Sequence, residues 1–349
     1  MYTRFFGKQQ ENKMEINKRK FYRQVFALVI PMALQNLINV GVTAADVLML
    51  GRVSEKVLSG ASLAGQIQFV MTLILFGTTS GATVLTAQYW GKKDTQTIEK
   101  ILGMGMTIGV SCAALFTIVA EIIPEVLLHI YTSDPAVIAE GVKYLRIVAL
   151  SYVLMAATQV YLYIMRSIEQ VVIATVVYSA SLICNVLVNA LLIFGLFGLP
   201  KMGIMGAAIG TLVARILELV IVVIYIIKDK KIELFKQKLL QSDDSLRKDY
   251  MKAAMPIILA QILWGVSVPM QTAILGHLSD DAIAANSVAT TFYQYLKVIV
   301  IAMTSASAVM MGNGVGRGNM KRIRSDARTL ATIDVAVGIV LGIILFALK

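Results

Sequence analysis

Charged residues are scarce in this sequence. They make up 15% of the 349 residues, whereas hydrophobic residues make up 57% and the mean hydropathy is +0.74. An ordinary soluble domain has about 25% charged and 45–50% apolar residues, so this chain lacks the polar side chains that would cover a water-facing surface. The composition therefore excludes a soluble globular protein and predicts an all-α polytopic membrane protein.

Cysteine and histidine are also scarce, with two residues of each. Cys112 and Cys184 lie in separate apolar stretches at no disulfide or metal-binding spacing, and His129 and His277 lie in different loops. The sequence has no GxxxxGK[ST] nucleotide loop and no recognisable Ser, His and Asp group. These absences argue against an enzyme, a metal site, a bound nucleotide or a cofactor.

Nine apolar segments are each long enough to cross a bilayer as a helix of about 20 residues. The predicted spans are residues 24–50, 57–88, 98–123, 137–165, 170–197, 203–227, 250–276, 283–312 and 326–348. We expect these nine helices to form the whole transmembrane part of the chain.

The net charge of +11 reflects the arrangement of the loops more than a basic binding surface. Of the 32 Lys and Arg residues, 24 lie before the first span or in connections on the same side of the bilayer as that terminus. Cytoplasmic loops carry such an excess of positive charge. We therefore predict a multi-pass protein of the plasma membrane with a cytoplasmic N-terminus, and we expect no nucleic-acid partner.

The chain contains an internal repeat at an offset of 225 residues. The segment FALVIPMALQNLINVGVTAADVLMLGRVSEKVLSGASLAG, from Phe26, aligns without gaps on MKAAMPIILAQILWGVSVPMQTAILGHLSDDAIAANSVAT, from Met251. Pro31 aligns with Pro256, and an even number of spans separates the copies. The two copies are therefore parallel repeats, an arrangement in which the substrate site of secondary transporters lies between the halves.

From about residue 20 onward the sequence resembles the multidrug and toxic compound extrusion (MATE) family of efflux transporters. The resemblance is carried by AADVLMLGRVS in the first span, SLAGQIQF through AQYWGKKD in the second, NVLVNALLIFGL in the fifth, GIMGAAIGT in the sixth, and the repeat. It implies twelve spans in two six-helix lobes that export organic cations in exchange for Na⁺ or H⁺. We expect a complete N-lobe and the first three helices of the second lobe, with the chain truncated in the ninth span.

The predicted organisation follows from this resemblance. A basic cytoplasmic N-terminus covers residues 1–23, and the N-lobe with spans 1–6 covers 24–227. An inter-lobe linker on the cytoplasmic side covers 228–249, and a partial C-lobe with spans 7–9 covers 250–349.

Asp46 is the main candidate for chemistry, because an ionisable residue inside a span costs about 2.5–3.5 kcal/mol near the helix centre and marks a functional site by default. Gln35 and Asn39 fall on the same helical stripe, at spacings of 4 and 7 residues. A polar stripe of this kind is expected to face a cavity. An interfacial aspartate that reaches water is the alternative. By resemblance, Asp46 matches the cation or proton site of the family's N-lobe.

Asn185 and Asn189 form an i, i+4 pair in the fifth span, and Thr211 lies in the sixth. Asn residues in spans often hydrogen-bond helices together. The functional interpretation is that their amide oxygens help to ligate a cation near Asp46. Many family members carry an acid where this chain has Asn189, and Thr211 matches a hydroxyl that the family places near the same site. A bond from Thr211 to its own helix is the alternative.

Two further residues are candidates for a substrate cavity. Lys297 is deep in the eighth span, too far from either end to reach water, and is expected to face the cavity or pair with an acid. Tyr163 belongs to a set of aromatic residues that suits flat organic cations, although packing is the alternative. Arg215 and Glu218, three residues apart, are predicted to form an ion pair.

These observations predict an Na⁺- or H⁺-coupled antiporter that exports small organic cations by alternating access. Two other hypotheses remain open at this stage. One is a flippase for lipid-linked oligosaccharides from a related group, which would need a strongly cationic cavity. The other is a truncated membrane fragment that transports nothing.

Overall fold

The computed structural model of the protein describes residues 2–228, 243–276, 280–318 and 320–347. Side chains are described from Arg19 onward, apart from most of residues 268–292 and residues 320–322. His277 and most of the predicted linker, residues 229–242, lie outside the described part.

The described chain is built from α-helices in the order that the hydropathy predicts. They are α1 (Tyr2–Gly51), α2 (Glu55–Gly91), α3 (Thr95–Ile122), the short α4 (Pro124–His129), α5 (Pro135–Ser167), α6 (Val172–Phe194), α7 (Ile204–Lys228), α8 (Asp244–Gly276), α9 (Asp280–Gly316) and α10 (Met320–Ala347). A single turn of 3₁₀ helix, Leu196–Gly198, follows α6.

Within the described residues, nine helices are long and apolar enough to cross a membrane: all of those named except α4. The prediction of nine spans and an all-α membrane fold is thus confirmed.

Short polar residues begin several of the helices. Ser54 accepts a hydrogen bond from the Val57 N–H at the start of α2, and Asp94 accepts one from the Thr97 N–H at the start of α3. Asp134 accepts from the Ala136 N–H at the start of α5. Each side chain satisfies an amide that the first helical turn leaves without an intrahelical partner. These caps mark where one span ends and the next begins.

The bundle has one end that carries most of the described basic residues, which we call the basic end. It contains the start of α1, the end of α2 with Lys92 and Lys93, the end of α5 with Arg166, and the end of α9 with Arg317. The turn from α5 to α6 also lies there. At this turn Glu169 adopts a left-handed backbone conformation with φ of 66°.

Helix α2 lies at the centre of the bundle, packed against α3, α5, α8 and α9. Helix α1 packs against α6 and α9. The contacts of α1 with α9 and of α2 with α8 are equivalent under the repeat, because α8 and α9 are the second copies of α1 and α2. In the first, Val29 and Ala306 share one buried cluster; in the second, the Tyr250 hydroxyl donates to the Thr78 carbonyl oxygen at 2.9 Å.

The two lobes are in close backbone contact at the basic end, where α2 and α9 cross. A Cβ atom added to Gly91 would lie 2.9 Å from the Gly316 Cα and would overlap the Asn313 carbonyl oxygen. Gly316 is the repeat counterpart of Gly91, as Asn313 is of Gln88. The crossing therefore lies on the pseudo-twofold axis of the repeat, and only glycine permits so close an approach there.

A hydrogen-bond bridge beside this crossing also joins the lobes. Glu169 Oε1 accepts from Asn313 Nδ2 of α9 at 2.8 Å and from Gln24 Nε2 of α1 at 3.1 Å. The bridge lines a cavity of about 260 Å³ that also contacts Arg317 and Asp326. The basic end is thus closed by backbone contact and by a bond to a carboxylate.

Candidate functional site

Asp46, Asn185, Asn189 and Thr211, which the family resemblance groups around one site, lie together in the interior of the first lobe. Asp46 lies on α1 and is half-buried, whereas Asn185 and Asn189 of α6 are 1% and 0% exposed. Asn189 Nδ2 donates to Asp46 Oδ1 at 2.6 Å and to Asn185 Oδ1 at 3.2 Å. Asn185 Nδ2 faces the Thr211 hydroxyl of α7 at 3.5 Å. Three helices therefore contribute to one site around a single carboxylate.

The orientation of Asn189 determines what this site offers a ligand. Its amide nitrogen faces the carboxylate, while its Oδ1 is buried, has no hydrogen-bond partner and packs against the backbone of Gly210. The side-chain amide oxygen of Asn185 accepts a hydrogen bond from Asn189. In this structure the Asn189 amide oxygen is therefore turned away from Asp46, whereas the Asn185 amide oxygen shares the Asn189 nitrogen with the carboxylate.

The structure adds Tyr144 of α5 to the site. Its side chain interacts with Thr211, and it interacts electrostatically with Asp46 and Arg215. Sequence reasoning did not identify it, because an isolated tyrosine in a span resembles a packing residue. Only the packing of α5 against α7 brings it to the other members.

Arg215 and Glu218 form the ion pair that their spacing predicts. Arg215 Nη1 lies 2.7 Å from Glu218 Oε1 and 2.9 Å from Oε2. The Glu218 side chain is 1% exposed and that of Arg215 is 19% exposed. Arg215, while paired with Glu218, also interacts electrostatically with Asp46.

The remaining candidates lie elsewhere. Gln35 is 0% exposed and donates to the Val171 carbonyl oxygen and the Thr175 hydroxyl, both at 2.8 Å, so it joins α1 to the start of α6. Asn39 is exposed on α1, and its carbonyl oxygen accepts from the Thr43 hydroxyl at 3.3 Å. The stripe thus runs from a helix contact near the basic end to the Asp46 site.

Tyr163 and Lys297 each take part in a cation–π contact, Tyr163 as the aromatic ring and Lys297 as the cation. The Arg166 guanidinium lies 4.7 Å from the Tyr163 ring centre, and Arg166 is 6% exposed. Lys297 Nζ lies 4.2 Å from the centre of the Trp264 ring, which in turn contacts Phe69 of α2 at 6.0 Å. The structure therefore gives Lys297 an aromatic partner.

Within the described residues, a bundle of nine apolar helices with a parallel repeat, and with a half-buried carboxylate hydrogen-bonded between α1 and α6 of its first lobe, is typical of a membrane transporter. Comparison with known proteins gives the family. The family model described as MatE matches residues 31–191 and 256–349. The chain belongs to the MatE family, whose members are multidrug efflux transporters and not enzymes.

The individual relatives have low sequence identity to this chain, but each alignment covers most of its length. The chain is 22% identical to the "Probable multidrug resistance protein NorM" of Thermotoga maritima, over 93% of this chain and 70% of that protein. It is 25% identical to the protein of the same description from Agrobacterium fabrum, again over 93% and 70%.

Solved structures share the fold. A crystal structure of MATE in the bent conformation superposes with a TM-score of 0.83 at 14% identity, over 94% of this chain and 72% of that one. The eukaryotic MATE transporter AtDTX14 gives 0.80 at 18% identity, over 94% and 73%. The MATE-like architecture predicted from the sequence is thus confirmed.

Proposed function

We propose that this protein exports organic cations from the cytoplasm across the plasma membrane, in exchange for Na⁺ or H⁺ that enters through the Asp46 site. The observation that carries the proposal is the hydrogen bond between Asp46 and Asn189 inside the first lobe. A carboxylate placed within a span is costly and is kept where its charge is used. Relatives described as multidrug resistance proteins support the substrate class.

The orientation of the protein follows from its charges. The basic end faces the cytoplasm, because positively charged loops remain on that side. In the conformation described here that end is closed by the α2–α9 crossing, so the organic cation would leave toward the opposite side. Entry of H⁺ or Na⁺ at Asp46 changes the charge of the first lobe and favours one conformation over the other.

The pairing of two interior cations with other side chains argues against the alternative of a lipid-linked oligosaccharide flippase. Such a protein needs free positive charge to hold a pyrophosphate. Arg215 is paired with Glu218, and Lys297 is held against Trp264. The interior cations of the described spans that could meet a pyrophosphate are therefore already engaged.

The test uses everted membrane vesicles that contain the wild-type protein or Asp46→Asn. Movement of a fluorescent organic cation is followed under an imposed Na⁺ gradient and, separately, under a pH gradient. We expect wild-type movement to respond to one gradient and the variant to show none. Asp134→Asn is the matched control, because it makes the same change at an exposed helix cap where Asn serves equally well.

Transport that survives in Asp46→Asn at normal membrane levels would remove Asp46 from the mechanism. Absence of movement in the wild type under both gradients, with the protein inserted normally, would overturn the proposed function.

A further inference from the structure

An aromatic surface that carries a cation lies at the boundary between the two lobes. The face of α2 that packs on α8 contains Gly81 and Gly77, where an added Cβ would crowd the α8 backbone. Phe69 lies two turns further from the basic end on the same face, and its ring centre is 6.0 Å from that of Trp264 of α8. Lys297 of α9 places its Nζ 4.2 Å from the centre of the Trp264 ring. Helices from both lobes therefore meet at this ring.

The two rings remain accessible, although the glycines of the same helix face are buried. Phe69 is 38% exposed and Trp264 is 42% exposed, and Lys297 is half-buried. At the positions equivalent to Trp264 and Lys297, the first copy of the repeat has the neutral residues Asn39 and Thr72. The ring and the ammonium are therefore specific to the second copy and are not part of the shared architecture.

Within the described part of the chain, the charge of Lys297 has no acidic partner. The salt bridges found there join Lys143 to Glu140 and Arg215 to Glu218. Lys297 lies near the middle of α9, where an ion is costly, and a cation–π contact offsets only part of that cost. A charge kept under these conditions is expected to meet an anionic group during the working cycle.

The ammonium and the rings together define the chemistry of the ligand. Nζ carries three N–H donors, and the face of Trp264 covers one side of it, so an anionic oxygen can approach from another side. Trp264 and Phe69 offer flat aromatic surface beside that position. A single ammonium matches one carboxylate, whereas a pyrophosphate would require several free cations. The surface therefore suits an aromatic molecule that carries a carboxylate.

We propose that Lys297, Trp264 and Phe69 form a substrate subsite, in which the rings hold the aromatic system of an organic cation and Lys297 binds a carboxylate on the same molecule. Lys297 is then a specificity-determining residue. It favours zwitterionic aromatic substrates over the same cations without the acid, whose positive charge its ammonium repels. The inference rests on the proposed function for transport and names a class of substrate within it.

The test compares rhodamine 19, which carries a free carboxylate, with rhodamine 6G, the ethyl ester of the same cationic dye. The sequence contains two tryptophans, so Trp90→Phe leaves Trp264 as the single one, and quenching of its fluorescence reports binding to the purified protein. In that background, Lys297→Gln removes the charge at a similar side-chain length, and Lys297→Arg retains the charge as the matched control. Gradient-driven movement of both dyes in everted vesicles is measured alongside.

We expect the protein with Lys297 to bind rhodamine 19 about fivefold more tightly than rhodamine 6G, as an accessible ion pair would give. Lys297→Arg should keep this preference, and Lys297→Gln should lose it. Equal affinities for the two dyes with Lys297 present, an unchanged preference in Lys297→Gln, or binding that does not quench Trp264 would each overturn the inference while leaving transport intact. Vesicles that move neither dye under either gradient would overturn the proposed function, even where the binding preference persists.

Discussion

The two copies of the repeat have the same fold and different interiors. Helices α1 and α2 pack on α9 and α8 through equivalent faces, and Pro31 and Pro256 occupy matching positions. The polar chemistry differs at single positions, since Asp46 aligns with Gln271 and Thr72 aligns with Lys297. The first copy thus carries a half-buried acid and the second a half-buried base. Small and apolar residues maintain the architecture, and a few substitutions confine the polar cluster around Asp46 to the first lobe.

The largest effect is expected when the carboxylate is moved from one copy to the other. In the variant Asp46→Gln/Gln271→Asp we expect no gradient-driven movement of an organic cation, because the carboxylate is removed from α1, where Asp46 bonds to Asn189 of α6. Movement is measured in everted vesicles at matched membrane levels, with Gln271→Asp alone as the control. If the exchanged variant transports, the two copies are interchangeable and the asymmetry carries no function.

The second effect concerns the place where the two copies meet. We expect Gly316→Ala to open the basic end and to lower transport by about tenfold or more, because the added Cβ would overlap the Gln88 carbonyl oxygen and approach the Gly91 Cα at 2.9 Å. Opening is measured as faster thiol labelling of a cysteine placed at Met311 in the cavity.

Gly338→Ala on α10 is the matched control for that experiment, since a Cβ there meets nothing within 4 Å. Equal labelling and equal transport in the two alanine variants would show that the α2–α9 crossing does not hold the lobes together.

A smaller effect is expected from the bridge to Glu169. Asn313→Leu removes a hydrogen bond to a carboxylate, but it also removes a buried Oδ1 atom that has no partner. The two contributions partly cancel, which leaves a net loss of about 1 kcal/mol, or roughly fivefold in the closed population. Labelling at Met311 should rise accordingly. Gln24→Leu breaks only the bond within the first lobe, so labelling that rises as much in that variant would contradict an inter-lobe role.

Much of the fold could be predicted from the sequence because the bilayer imposes long apolar helices, and because the repeat pairs the helices of the two lobes. The Asp46 site was predictable in part. Asp46 is expensive inside a span, and Asn185 and Asn189 share one face of α6. Cost and spacing along single helices therefore identified residues of α1 and α6, and the family resemblance added Thr211 of α7.

Contacts between distant helices were not predictable in the same way. Tyr144 joins the site only through the packing of α5 on α7, and the direction in which Asn189 presents its amide depends on Gly210 of a neighbouring helix. Glu169 and Asn313 are 144 residues apart and meet only once the lobes have docked. No periodicity within one helix encodes such a pairing.

The smallest effect is expected when Lys297 is replaced by the residue of the first copy. Its ammonium covers the face of Trp264, which an organic cation would also favour, and such a contact is worth about 0.5–2 kcal/mol. In Lys297→Thr we expect the KM for an aromatic organic cation to fall by roughly two- to fivefold, because the ring becomes available. Lys297→Arg keeps a cation over the ring and should leave the KM near that of the wild type. A KM that rises in Lys297→Thr would mean that the lysine helps to bind the substrate, and the internal cation would then be part of the cavity's recognition surface.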